Sequence, residues 1–290
     1  MCENDDFDAI VQYQRRGPAL SRREFGALSV GAGLLSLVPA GAYAAATSGA
    51  DVDITTPDGT CDAYFVHPTK GKHPAVLIWP DIFGLRPAFK QMATRLAESG
   101  YSVLVINPFY RIQKAPTSTT TTFDATTRAA LTKMMGSLSP KTAQVDGAAL
   151  VPWLDKQASV DRKKKMGTTG YCMGGPYTFR LAAQFPERVG AIATFHGAAL
   201  ANASPDSPHL LVPKMKASAL ICIAASDDMS DPKAKDLLET AFTAAGLPHE
   251  VQVYEGTKHG WCPTDSGVYD HDAAEKAWSR LLFWFNKSLV

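Results

Sequence analysis

The sequence predicts an α/β protein with a mostly parallel central sheet and helices on both faces. Three observations carry this. Short apolar runs alternate with amphipathic segments through most of the chain. Several of the runs lack the in/out alternation of a half-exposed strand, as expected where both faces of a sheet are covered. One glycine-rich turn, Gly170-Tyr171-Cys172-Met173-Gly174-Gly175, joins a run of the first kind to a segment of the second.

The runs come in order as Cys61–Pro68, Pro74–Asp81, Tyr101–Phe109, Lys165–Cys172, Val189–Gly197, Ser218–Ser226 and Glu250–Gly256, each bounded by Gly, Pro or Asp. Between the second and third, residues 86–100 read as a helix. Pro87 lies near its first turn, Gly100 past its end, and Phe89, Met92, Ala93 and Leu96 share one face. Residues 231–246 repeat the design, with Asp231 as cap, Pro232 next and Gly246 at the close. Their apolar face is Leu237, Leu238, Ala241, Phe242 and Ala245. A last helix over about 271–288 buries Ala274, Ala277, Trp278, Leu281, Leu282 and Phe285. Strand–helix alternation of this kind argues for a parallel α/β sandwich. Residues 111–140 break the rhythm with a threonine-rich run and then a short helix, and read either as a surface loop or as a wall over a site.

The first 46 residues form a separate object. Ser21-Arg22-Arg23-Glu24-Phe25 runs into a weakly apolar, glycine-containing stretch that closes on Ala42-Tyr43-Ala44. This resembles a bacterial twin-arginine export signal rather than a membrane span, because the run is short and ends in a small-x-small cleavage pattern. The expectation is cleavage near Ala44 to Ala46, passage through the twin-arginine translocation machinery, a periplasmic or secreted product with no stable membrane anchor, and a single domain over residues 47–290. With 29 basic and 28 acidic residues the chain has no basic excess to suggest a nucleic-acid partner. Its five cysteines are scattered singly, so neither a zinc site nor a CxxC redox motif is indicated. Cys61 and Cys222 fall in strand-like runs, and no disulfide framework is expected even in an oxidising compartment. No metal or cofactor is expected.

In an open parallel sheet, ligands bind beyond the carboxyl ends of the strands. The turn around Cys172 has the Gly-x-Ser-x-Gly spacing of a nucleophile elbow, with cysteine in place of serine. Such a turn needs small neighbours because the strand bends sharply into the helix. The thiolate is the attacking form, and a helix N-terminus favours negative charge. A buried structural cysteine would explain the apolar setting of Cys172 but not its flanking glycines. An acid and a histidine are then expected later in the chain, in that order. Asp227 and Asp228 stand together where the run 218–226 ends, and Asp227, first off the strand, is preferred. His259 follows the last strand in a glycine-containing loop and is expected to be the base. His196, at another strand end, is expected to line the pocket. His67, His73, His209 and His249 lie in loops or turns and are expected to be solvated.

With Cys172, Asp227 and His259 in this order, the chain resembles the dienelactone hydrolase family of the α/β-hydrolase superfamily. Residues 81–110, the run Gly170–Gly175 and Lys258-His259-Gly260-Trp261 carry the resemblance. It implies an α/β-hydrolase fold and a hydrolase of lactones, esters or thioesters working through an acyl-cysteine. It also implies an oxyanion hole from the backbone amides of Ile82 and Met173, and a pocket including Asp81, Tyr110, His196 and Trp261. The family's glutamate near the resting thiol is Asp81 here, one methylene shorter. Its substrate-carboxylate arginine, four residues after the histidine, is Pro263, and Arg128 is the other arginine to consider. Rival readings are a broad carboxylesterase, a non-catalytic binding module with an inert Cys172, and a redox-sensing thiol. The last lacks a resolving cysteine nearby.

Overall fold

The computed structural model describes residues 45–290, so the expected export signal lies almost wholly outside the described residues. Eight strands form one sheet in the order β1-β2-β4-β3-β5-β6-β7-β8. They are β1 (Thr47–Thr56), β2 (Gly59–Pro68), β3 (Ala75–Trp79), β4 (Ser102–Ile106), β5 (Met166–Tyr171), β6 (Val189–Phe195), β7 (Ser218–Ala224) and β8 (His249–Tyr254). From β4 through β8 every neighbouring pair is parallel, while β1–β2 and β2–β4 are antiparallel. This is the α/β-hydrolase architecture that the sequence predicts.

The seven helices among the described residues are α1 (Pro87–Glu98), α2 (Ala125–Met135), α3 (Pro140–Asp155), α4 (Gly175–Gln184), α5 (Ala225–Ser230), α6 (Ala234–Ala244) and α7 (His271–Ser288). Adjacent strand residues feed opposite cores. Leu77, Leu104 and Ile106 pack with Leu150 and Leu154 of α3, Phe179 of α4 and Phe242 of α6. Val76, Ile78, Val103 and Val105 pack with Phe89 and Leu96 of α1 and Trp278, Leu281 and Phe285 of α7. All five residues of β3 and of β4 are buried, which is why these runs read as unbroken apolar stretches. Each fully buried Val, Leu, Ile or Phe contributes about 1.5–3 kcal/mol of transfer free energy. The polar Thr168 of β5 is tolerated between the layers because its hydroxyl donates to the Leu77 carbonyl (3.0 Å) and accepts from Trp79 Nε1 (3.1 Å).

Several features differ from these expectations. β1 was not expected; it is an edge strand, mostly exposed, and carries no apolar run. Nor was α3, whose start is a Ser139/Thr142 capping box rather than a clear apolar stripe. Asp231 does not cap the helix after it: α6 begins at Ala234 behind Lys233, and the Asp231 carbonyl merely accepts from the Ala234 amide. Leu237, assigned to the apolar face of that helix, is exposed; in α7 Ala274 and Leu282 are only half-buried, and Trp284 joins the buried face.

Candidate active site

The carboxyl ends of β3, β5, β6, β7 and β8 deliver Asp81, Cys172, His196, Asp227 and His259 to one edge of the sheet. The turn after β5 is shaped by absent side chains. A Cβ on Gly170 would lie 2.3 Å from the Gly174 carbonyl oxygen, and one on Gly174 would lie 2.1 Å from that of Trp79. One on Gly175 would lie 2.8 Å from the Gly197 Cα. Cys172 itself adopts a left-handed conformation (φ +51°), which is strained for a residue with a side chain and costs on the order of 1–3 kcal/mol. Its carbonyl is held by the Ala198 amide at 3.0 Å. The half-buried thiol therefore sits above a single turn of 3-10 helix that leads into α4. The positive end of that helix favours negative charge on the sulfur.

His259 reaches this thiol from the loop after β8. Its Nδ1–H donates to Asp227 Oδ2 at 2.8 Å, and its backbone amide donates to Ser226 Oγ at 2.9 Å. Thr257 fixes the loop from below, donating to the Tyr254 carbonyl and accepting from the Ala225 amide. Gly260, at φ +96°, turns the chain away. Burial alone would lower the pKa of His259. The hydrogen bond to Asp227 and the hydrogen-bonding contact with the Cys172 sulfur outweigh it, and the imidazolium is pushed up to about 10. Asp228 is engaged elsewhere, accepting two bonds from Lys235 Nζ at 2.7 and 2.8 Å. The neighbouring carboxylates therefore have separate partners, and only Asp227 is joined to the histidine.

His196 is fully buried beneath His259, edge to face, with ring centroids 5.1 Å apart. Burial and the charge of His259 hold it neutral. Neither of its ring nitrogens has a hydrogen-bond partner among the described residues, nor does Trp261 Nε1. Trp261 is stacked on Tyr254 at 4.7 Å and fully buried, so it underlies the site rather than lining open space. Tyr110 is displaced further from its expected role. Its hydroxyl bonds Asp146 Oδ1 (2.7 Å) and Thr56 (2.8 Å), and its ring belongs to the core beside β1 and α3. The four histidines expected in solvated loops are half-buried, each with a hydrogen bond, and two of them lie in strands, His67 in β2 and His249 at the start of β8, where it bonds the Leu247 carbonyl and Glu239.

Asp81 also departs from expectation. Both carboxylate oxygens accept from Arg86 (2.6 and 2.9 Å), and Oδ1 also takes the Phe83 amide at 2.9 Å. It is thus committed to an ion pair instead of facing the thiol. Between Asp81 and Phe83, the Ile82 amide donates to no group among the described residues, and the Met173 amide donates to none outside its own helical turn. Around them Ile82, Phe83, Cys172, Met173 and Tyr177 cluster with Phe109, Leu138 and, from α2, Leu131 and Met134. The 111–140 segment is therefore an apolar wall beside Cys172. Thr117 ties it to the Phe83 carbonyl (3.1 Å) and Thr121 to the Asp265 carbonyl (3.0 Å). Arg128 lies on its exposed side over the Phe123 ring. A separate cavity of about 230 Å³, lined by Arg95, Tyr171, Cys262 and Trp278 among others, touches neither Cys172 nor His259.

Sequence reasoning passed over Arg86, Asp265, Ser226 and Thr257. The two charged residues lie 179 residues apart, and only the fold brings them together. Ser226 and Thr257 had a weak signal, as small hydroxyl residues at the ends of strands. The four described cysteines are free thiols. No group of three or more metal-ligating side chains among the described residues could hold an ion, and no helix among them is long and apolar enough to cross a membrane.

Comparison with known proteins adds a family to this geometry. The model of the dienelactone hydrolase family matches residues 61–289. A carboxymethylenebutenolidase of Rhodococcus opacus is 25% identical over 243 residues, covering 80% of this chain and 89% of the relative. Among solved structures, a dienelactone hydrolase-like promiscuous phosphotriesterase from metagenomic libraries superposes with a TM-score of 0.70 at 23% identity, covering 84% of this chain and all of that one. The dienelactone hydrolase of Anabaena variabilis gives 0.60 at 17% identity, covering 84% and 99%. At such identities the structural likeness speaks for the fold.

Proposed function

The chain belongs to the dienelactone hydrolase family and is a carboxylic ester hydrolase, and from that premise we propose that it opens neutral lactones or esters through Cys172, His259 and Asp227. The observation that carries the proposal is the hydrogen bond of His259 to Asp227 at 2.8 Å, with Cys172 near enough for its sulfur to raise the imidazole's pKa. Asp227 fixes the tautomer and steadies the imidazolium. The Cys172 thiolate attacks the substrate carbonyl carbon, and the negative charge moves to the carbonyl oxygen. The amides of Ile82 and Met173 receive it. Collapse of this intermediate expels the alkoxide, which takes the proton from His259, and leaves an acyl-cysteine. Neutral His259 then draws a proton from water, whose oxygen attacks the thioester. The acid departs, and Cys172 and His259 return to their starting state, sharing one proton between sulfur and imidazole. The route uses only the chain's own side chains and amides.

A neutral substrate is favoured by the apolar wall of Ile82, Phe83, Leu131 and Met134, and by Pro263, a buried residue without a donor where an arginine would grip a carboxylate. Thioesters fit the same chemistry. Ser21-Arg22-Arg23-Glu24-Phe25 and Ala42-Tyr43-Ala44 support a further reading, that residues 1–46 direct export through the twin-arginine machinery to the periplasm or beyond. In that reading residues 47–290 are the mature enzyme.

The test of the mechanism is intact-mass measurement after brief exposure to activated esters, lactones and thioesters. An acyl adduct on the wild-type chain, mapped to Cys172 and lost in Cys172→Ala, is expected. Hydrolysis at an undiminished rate by Cys172→Ala would end the reading.

A further inference from the structure

Arg86 is the residue immediately before α1, in extended conformation, with 7% of its surface exposed. All of its hydrogen-bonding capacity is taken. Nη1 donates to Asp81 Oδ1 (2.6 Å) and to the Gly84 carbonyl (3.3 Å), and Nη2 donates to Asp81 Oδ2 (2.9 Å) and Asp265 Oδ1 (3.0 Å). Nε donates to Asp265 Oδ2 at 2.7 Å. Five acceptors thus meet the five donors of a guanidinium, and Phe89 and Phe83 flank it at 4.8 and 5.5 Å.

The two carboxylates belong to different parts of the site. Asp81 shapes the turn after β3: its side chain takes the Phe83 amide and its carbonyl takes the Gly84 amide at 2.9 Å, with Gly84 at φ +70°. Those bonds fix the peptide that carries the unengaged Ile82 amide. Asp265 lies six residues beyond His259, and its carbonyl holds Thr121 of the apolar wall. The Met173 amide is set by the close-packed glycines of its own turn. The Ile82 amide rides on a loop that Thr117 holds at the Phe83 carbonyl and that Arg86 ties, through Asp81 and Asp265, to the segment after His259.

We propose that Arg86 is the positioning residue of the oxyanion hole: clamped between Asp81 and Asp265, it holds the Ile82 amide where the tetrahedral intermediate needs it. The inference rests on the reading of Cys172 as nucleophile. Losing one oxyanion donor lowers kcat by about 10²–10³, so displacing one is expected to lower it roughly ten- to a hundredfold.

The test uses Arg86→Lys, which keeps a cation beside Asp81 but has three donors and no planar fork. Four quantities are compared with wild type: kcat and KM on a neutral ester, the alkylation rate of Cys172 by iodoacetamide, and the melting temperature. Alkylation displaces iodide at a saturated carbon and develops no oxyanion, so it reads the thiolate alone. The expected result is a kcat at least tenfold lower, with KM and the alkylation rate each within about twofold of wild type. An unchanged kcat would overturn the proposal, and so would parallel losses of kcat and alkylation. Should the lysine variant not fold, Asp265→Asn carries the test, because it leaves Asp81 paired; the same pattern at smaller amplitude is expected, and unchanged kcat overturns it. Cys172→Ala is assayed alongside, so that failure of the nucleophile reading is seen separately from failure of the Arg86 assignment.

Discussion

Replacing Asp227 by asparagine tests the polar side of the site with the least change of shape. In the native chain the Asp227 carboxylate accepts Nδ1–H of His259 at 2.8 Å and helps to push the imidazolium up to about 10. An asparagine that presents its oxygen keeps the bond and loses the charge. A charge-assisted bond exceeds a neutral one by about 1–1.5 kcal/mol, so this alone lowers kcat about tenfold. If it presents its amide instead, the proton on the imidazole is driven to the nitrogen facing the thiol, and the loss reaches about 10⁴. The expected fall lies between these bounds, with KM little changed, measured on a neutral ester. The pH dependence has a definite sign. A histidine raised from the ordinary 6.5 to about 10 contributes stability that is fully present below pH 6.5 and vanishes as pH rises through 10. The urea midpoint of Asp227→Asn is therefore expected to fall furthest below wild type near pH 6 and to converge with it near pH 10. Asp228→Asn is the control. It breaks a partly exposed, solvent-screened pair with Lys235 and is expected to leave turnover within about twofold. Wild-type turnover in Asp227→Asn, or a larger loss in Asp228→Asn, would refute the reasoning.

Gly174→Ala places a methyl 2.1 and 2.7 Å from the carbonyl oxygens of Trp79 and Pro80, neither of which can rotate away. It is expected to lower stability by about 1–3 kcal/mol or more and to abolish turnover, whereas an unchanged denaturation midpoint would mean that the turn has slack. A neutral lactone is expected to show a kcat/KM about ten- to a hundredfold above that of its carboxylate-bearing analogue, because no cation replaces Pro263. The reverse preference would assign an anion-binding role to another residue, Arg128 first. Changing both Arg22 and Arg23 to lysine is expected to leave uncut precursor in the cytoplasm, and cell fractionation showing normal export would reject the signal.

The core strands were legible because burial on both faces leaves an unbroken apolar run, as in Ala75–Trp79 and Ser218–Ala224. β1 was not, since an exposed edge strand is written in threonine, aspartate and alanine, like a loop. In the site, chain order and strand ends were enough to select Asp227 and His259, which the fold joins by a hydrogen bond. Tyr110 shows the limit of carrying a residue over by resemblance. The resemblance put it in the pocket, but Asp146 of α3, a helix the sequence did not announce, captures its hydroxyl. Arg86 marks a second limit, since its two acids lie five residues away on one hand and 179 on the other.

The wall beside Cys172 meets the reactive edge chiefly through side chains of α2 and two threonine hydroxyls, while the reactive groups hang from strands buried in the sheet. Chemistry and taste are thereby written in different parts of the chain. On the proposed mechanism, exchanges at Leu131 or Met134, whose side chains pack beside Ile82, Cys172 and Met173, are expected to redraw the outline of the pocket while the His259–Asp227 bond stays in place. A lineage, or a designer, can wander in substrate space along residues 111–140 while the scissile step stays as it is.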